Sequence, residues 1–151
     1  MADNMGLTNI DPSDYVSPDT INNNFKKLDA LGLDYIVESG YSGEWWYRKW
    51  KSGRAECGID YKNFGNVAHT TGWTNMFVSA PLSFGAYPFA FASRPFTSIS
   101  FESNNGPVHN SYVSYISSNS TTTSPQFRLI DPRSDTANDA HFGIYVCGRY
   151  K

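Results

Sequence analysis

Only one stretch of this chain spaces its apolar residues as a helix does. Ile21, Phe25 and Leu28 follow a four-then-three step, while Asn22, Asn23, Lys26, Lys27 and Asp29 fall elsewhere around the axis. Ser17 is suited to cap the first turn, Pro18 to occupy the first helical position, Asp19 to sit at the positive end of the dipole, and Gly32 to stop the helix. The spacing predicts a helix over about 18–31, behind a polar arm that holds Gly6 and Pro12. A helix this short is marginal alone in water, so its narrow stripe needs cover. Two covers remain open: the protein's own sheet, or further copies of the same helix around a symmetry axis with Ile21, Phe25 and Leu28 as the oligomerisation contacts.

After Gly32 the pattern changes to short β-prone runs separated by turn formers. Runs at 35–38, 45–50 and 54–61 predict a three-stranded antiparallel meander, with Lys51-Ser52-Gly53-Arg54 as a tight hairpin loop. Further runs are expected at 73–79, 95–102, 112–117, 126–130 and 142–150. The segments 103–107, 118–125 and 131–139 read as connectors. The stretch 81–95 is apolar but carries three prolines, which predicts an edge or a crossover. The fold class is therefore mainly β, an antiparallel β-sandwich or barrel of about eight strands preceded by one N-terminal helix. The division expected is 1–33 for the arm and oligomerisation helix and 34–151 for a β-sandwich head.

Alternation along 45–50 sends Trp45, Tyr47 and Lys49 to one side and Trp46, Arg48 and Trp50 to the other. Indole on both sides predicts that both faces of this ribbon are covered, by another sheet, another subunit or a ligand. Trp50→Ala is then expected to unfold the chain.

At 151 residues the chain fits one domain of ordinary size. Its net charge of −2, with only 17% charged residues, gives no basic footprint for nucleic acid or for a membrane surface. No run of about 18 apolar residues predicts membrane insertion, and the first residues lack a leader pattern, so export through a leader of its own is not expected. Cys57 and Cys147 fit no zinc spacing. They read as small buried strand residues, with a single bridge between them left open.

Catalytic patterns are weak. There is no nucleophile elbow, zincin helix or phosphate-cradling loop. His69, His109 and His141 lie apart and beside expected turns, which predicts surface or loop positions. Glu44 and Glu56 flank the aromatic ribbon and raise a glycosidase reading, although Glu56 is better matched to Arg48 or Arg54 as an ion pair. Asp131, Asp135 and Asp139 recur in one connector without the spacing of a calcium loop, so turn and cap duties are expected of them. No cofactor and no metal site are expected.

The segment Trp46-Tyr47-Arg48-Lys49-Trp50, then Ser52-Gly53 and Ala55-Glu56-Cys57, preceded by 34–40, resembles the C-terminal domain of tail fibre and minor tail proteins of phages and prophages of Gram-positive gut bacteria. Pro88-Phe89-Ala90-Phe91 with Arg94-Pro95, Ser124-Pro125 with Phe127, Leu129-Ile130 and Pro132, and the closing Gly148-Arg149-Tyr150-Lys151 agree with that pattern over about 34–151. Gly58 departs from it, since an aromatic residue commonly follows the cysteine. The resemblance implies a structural protein of a virion or phage-tail-like particle, assembled in the bacterial cytoplasm and exposed on the particle exterior. It implies a homotrimer at a fibre end or tail tip, partnered by other tail or baseplate proteins. Host-surface glycan is the expected target, with Tyr41, Trp73, Tyr87, Tyr112 and Tyr115 as candidate sugar-stacking rings. A polysaccharide hydrolase and an architectural adaptor without glycan affinity are the alternatives.

Overall fold

A helix α1 (Pro18–Ala30) and ten strands make up the computed structural model, which describes residues 18–105 and 111–151. The arm, Ser17 and His109 lie outside the described residues, as do the side chains of Leu28 and Trp73. One unit ends at Tyr35 and a second runs Ile36–Lys151.

In the first unit Pro18 opens α1, Asp19 lies in its first turn and Lys27 in its last, each at the end its charge favours. The amide of Leu31 donates to the Lys27 carbonyl, and Gly32 takes the left-handed φ of +67° that ends the helix. Ile21 and Phe25 remain 43% and 49% exposed, and the Phe25 ring meets Tyr35 at 5.9 Å.

The second unit is a sandwich of two antiparallel sheets. Strands β1 (Ile36–Ser42), β2 (Trp45–Trp50) and β3 (Arg54–Asn63) form the expected meander. The last strand, β10 (Asp135–Arg149), adds to β3 on one edge and to β7 (Phe96–Asn105) on the other. Its first residues continue onto β4 (Val67–His69). The second sheet runs β5 (Thr71–Trp73), β6 (Met76–Val78), β9 (Phe127–Asp131) and β8 (Tyr112–Tyr115).

Between the sheets, Cys57, Ile59, Phe142, Ile144 and Val146 of the first face Phe127 and Leu129 of the second. The segment 79–95 is the expected crossover. It bridges at Leu82–Phe127 and Ala86–Thr123, donates from the Ser79 amide to the Leu129 carbonyl and from the Ala92 amide to the Arg149 carbonyl, and drops Phe84, Tyr87 and Phe91 into the core. Phe127 is fully buried and stacks on Phe84 at 5.5 Å, with Phe142 at 5.1 Å.

Several expectations are corrected. The run 73–79 is a hairpin, not one strand, because Thr74 and Asn75 both adopt positive φ (42° and 66°), the conformation of a two-residue turn. Strand β10 begins inside the segment read as a connector, and β4 was not expected at all, being only three residues long. Trp45, not Trp50, is the buried indole. It is 7% exposed and meets Tyr87 edge-on at 5.6 Å, whereas Trp46 and Trp50 are half-buried on the outer face. Among the described residues of the second unit no further layer covers that outer face. The histidine reading also fails: His69 is fully buried and His141 6% exposed, the latter stacked on Tyr61 at 4.1 Å.

Cys57 and Cys147 are both free thiols. Cys57 pairs with Val146 and points inward, while Cys147 pairs with Glu56 and points outward, so the sheet itself separates them.

Candidate functional site on the outer sheet face

Alternation and register together assemble the outer face of the first sheet. Tyr41 of β1 lies opposite Trp46 of β2, Trp46 opposite Gly58 of β3, Gly58 opposite Tyr145 of β10, and Tyr145 opposite Ser98 of β7. One cross-strand row therefore carries three aromatic rings and a glycine. A Cβ at Gly58 would stand 2.7 Å from the Trp46 ring, so the indole lies over the bare backbone there and reaches to 6.2 Å from the Tyr145 ring. Gly143 repeats the device beside it, since a Cβ there would meet Ser100 Oγ and the Asp60 carbonyl at 2.7 Å. Two shallow depressions flank Trp46. One, of about 420 Å³, is bounded by Ser39, Gly40, Tyr41, Arg48 and Asp60. The other, of about 240 Å³, is bounded by Asp60, Ser98, Ser100, Gly143 and Tyr145.

The polar groups of this face are mutually engaged. Trp46 Nε1 donates to Asp60 Oδ1 at 2.7 Å, which fixes the ring plane. The Arg48 guanidinium lies 5.6 Å from the Trp46 ring and donates to Glu56 Oε1 at 3.3 Å. The Tyr145 hydroxyl donates to the other oxygen of Glu56 at 2.6 Å. Such a surface holds rigid aromatic faces with hydroxyl, guanidinium and carboxylate groups at their rims, the arrangement that stacks on the apolar face of a planar polar ligand.

Of the two partners expected for Glu56, Arg48 forms the ion pair, and Glu44 pairs with Lys62. Glu44, just before β2, lies four residues from Arg48, the partner of Glu56, a backbone separation of roughly 13 Å at about 3.3 Å per residue. Each carboxylate is thus engaged by its own cation in a different row of the sheet. The turn duties expected of the three aspartates hold for two: Asp131 accepts from the Arg133 amide and Asp135 from the Thr136 amide, while Asp139 accepts from Asn63 Nδ2, distant in sequence, and Asp131 also accepts from the Ser111 hydroxyl. Among the described residues no three metal-ligating side chains converge.

Of the five candidate sugar-stacking rings, Tyr41 is 80% exposed on this outer face. Tyr112 and Tyr115 lie on β8 of the other sheet, 49% and 47% exposed. Tyr87 is a correction: it is 7% exposed and packed edge-on against Trp45 and Phe91, so it presents no face to a ligand. Sequence reasoning missed Trp46 and Tyr145 as surface rings. The available signal was Gly58, a residue without a side chain opposite a tryptophan in a strand.

Burial and hydrogen bonding raise several acid groups. The Tyr145 phenol is held well above its usual range, first by its hydrogen bond to Glu56 and then by burial. Burial, with the Glu56 charge second, pushes the Cys57 thiol up to about 12. Burial also raises Tyr115. These groups keep their protons in the folded chain after the unfolded chain has lost them, so their contribution is whole below the unfolded pKa values of about 8.5 and 10 and is lost as pH rises beyond them. Urea melts at about pH 8 and pH 11 should show the midpoint falling, and Tyr145→Phe should reduce that fall; an unchanged midpoint across this window contradicts the linkage.

No family model matches this chain, and no curated protein matches it. A search of solved structures finds the N-truncated R1-type pyocin tail fibre, with a TM-score of 0.52 and 13% sequence identity. The alignment covers 82% of this chain and 94% of the fibre chain. The chain shares its fold with a tail fibre. At that identity the likeness concerns the path of the backbone and leaves the outer-face side chains to be argued from their own geometry.

Proposed function

We propose that this chain is a structural tail-fibre or tail-tip protein of a phage or phage-tail-like particle. It acts as a homotrimer gathered by α1, with a β-sandwich head that contributes to recognition of host-surface glycan. The observation that carries the reading is the backbone likeness to a pyocin tail fibre, which takes in most of both chains. The stripe of Ile21 and Phe25, exposed in a helix too short to be stable alone, supports association through α1, and Leu28 extends it in sequence. The row Tyr41, Trp46 and Tyr145 supports stacking on sugar, and three linked heads raise a weak single-site affinity. Other tail or baseplate proteins are the remaining partners, and the particle exterior is the place of work.

Light scattering is expected to give three times the 16.9 kDa of one chain. A single-chain mass with α1 intact removes the trimer. Immobilised neutral surface glycans are expected to retain the wild type, and Trp46→Ala, with its strand signal unchanged in circular dichroism, is expected to lose retention. Glycan silence from an intact trimer assigns the head an architectural role instead.

A further inference from the structure

A second concavity lies away from the outer-face row, where the start of β7 meets the end of β8 and the loop 117–125. It measures about 310 Å³ and is lined by Arg94, Phe96, Thr97, Tyr115, Ser118 and Asn119, among others. Its walls are fixed before any ligand arrives. Asn119 Nδ2 donates to the Pro95 carbonyl at 2.7 Å and to Thr97 Oγ1 at 2.6 Å, and the Tyr115 hydroxyl reaches the Thr97 carbonyl at 3.3 Å. The Gln126 amide donates to Ser117 Oγ at 2.9 Å and closes the loop over the buried Pro125.

Two rings are open to solvent beside this concavity, Phe96 at 63% exposure and Tyr115 at 47%. Arg94 has neither an ion pair nor a hydrogen bond among the described residues, and it is the one charged residue in the lining. That separates this place from the outer face, where Arg48 is paired with Glu56 and Asp60 is taken by Trp46. An unpaired guanidinium presents a fork of donors that matches carboxylate or phosphate oxygens, and exposed rings beside it accept the apolar face of a sugar.

We infer that the concavity of Arg94, Phe96 and Tyr115 is a binding site for an acidic glycosyl unit, a sugar that carries a carboxylate or a phosphate. Arg94 receives the anion, Phe96 and Tyr115 flank the ring, and the Ser118 hydroxyl stands among the lining groups for the sugar hydroxyls. The inference rests on the glycan-binding role proposed above and gives it a second, chemically distinct subsite.

The test titrates the full chain with a hexuronate oligosaccharide, a hexose 1-phosphate and a neutral oligosaccharide of matched length, read by chemical-shift changes and calorimetry. Both acidic probes, or one of them, should perturb the Tyr115 ring signals, and the arm that binds distinguishes carboxylate from phosphate. Arg94→Gln, on the protein surface, should weaken the acidic probe by about 10-fold or more and leave the neutral probe unchanged. Added salt should weaken the acidic arm alone. Equal affinity of Arg94→Gln and wild type for the acidic probes overturns the assignment, as does an equal loss for neutral and acidic probes. Neutral glycan bound at Trp46 with no acidic binding at Arg94 removes this site and leaves the head's proposed role standing. Silence toward all three probes removes both.

Discussion

Trp45→Ala is expected to lower stability by about 3–5 kcal/mol, the range for emptying a large buried aromatic site. The indole is 7% exposed and sits between Tyr87 at 5.6 Å and Phe84 at 6.4 Å, both delivered by the crossover. Removing it leaves a cavity that these two rings cannot fill, because the Tyr87 amide is tied to the Thr122 carbonyl and the Phe84 amide to Ser124 Oγ. With total stabilities of single domains near 5–15 kcal/mol, such a loss brings the β unit close to unfolding at ordinary temperature. Trp50→Ala serves as the contrast. That indole is half-buried on the outer face beside Ile36, itself 47% exposed, and its loss should shift the urea midpoint much less. Equal costs at the two positions would mean that the outer face is covered as fully as the inner one.

Phe25→Asp is expected to break the assembly into single chains while the strand signal persists. In one chain Phe25 is 49% exposed and, among the described residues, its ring meets one aromatic neighbour, Tyr35, so little of the described fold depends on it. In a seam of three helices the same position is desolvated, and an unpaired carboxylate there costs several kcal/mol per chain. Sedimentation or light scattering reads the outcome as a fall from the trimer mass. A mutant that stays associated shows that the β unit holds the copies together, and the helix then loses its assigned part.

The other face of β2 explains why the site was only partly legible beforehand. Local rules gave the helix, the meander and the loop at Gly53, because capping residues, alternation and turn formers act within a few neighbours. They narrowed the partner of Glu56 to Arg48 or Arg54, and the register of the hairpin selects Arg48. Tyr87 looked open in a proline-rich segment, yet the crossover carries it into the core. His69 and His141 looked like loop residues, and strands β4 and β10 bury them.

The sequence by itself determined that this is a mainly antiparallel β chain behind one helix, and that β2 carries indole on both sides. Those facts depend on periods of two and of about 3.6 residues, which any stretch of chain displays without knowing its distant neighbours. Only the tertiary structure decided which side of β2 is core, because that depends on where β9 and the crossover land, roughly 30 residues or more away in sequence. It likewise decided that Gly58 bares the backbone beneath Trp46, and that Arg94, unpaired among the described residues, lines one concavity with Tyr115. Burial and charge pairing are properties of contacts between segments, and contacts exist only once the sheets have closed on each other.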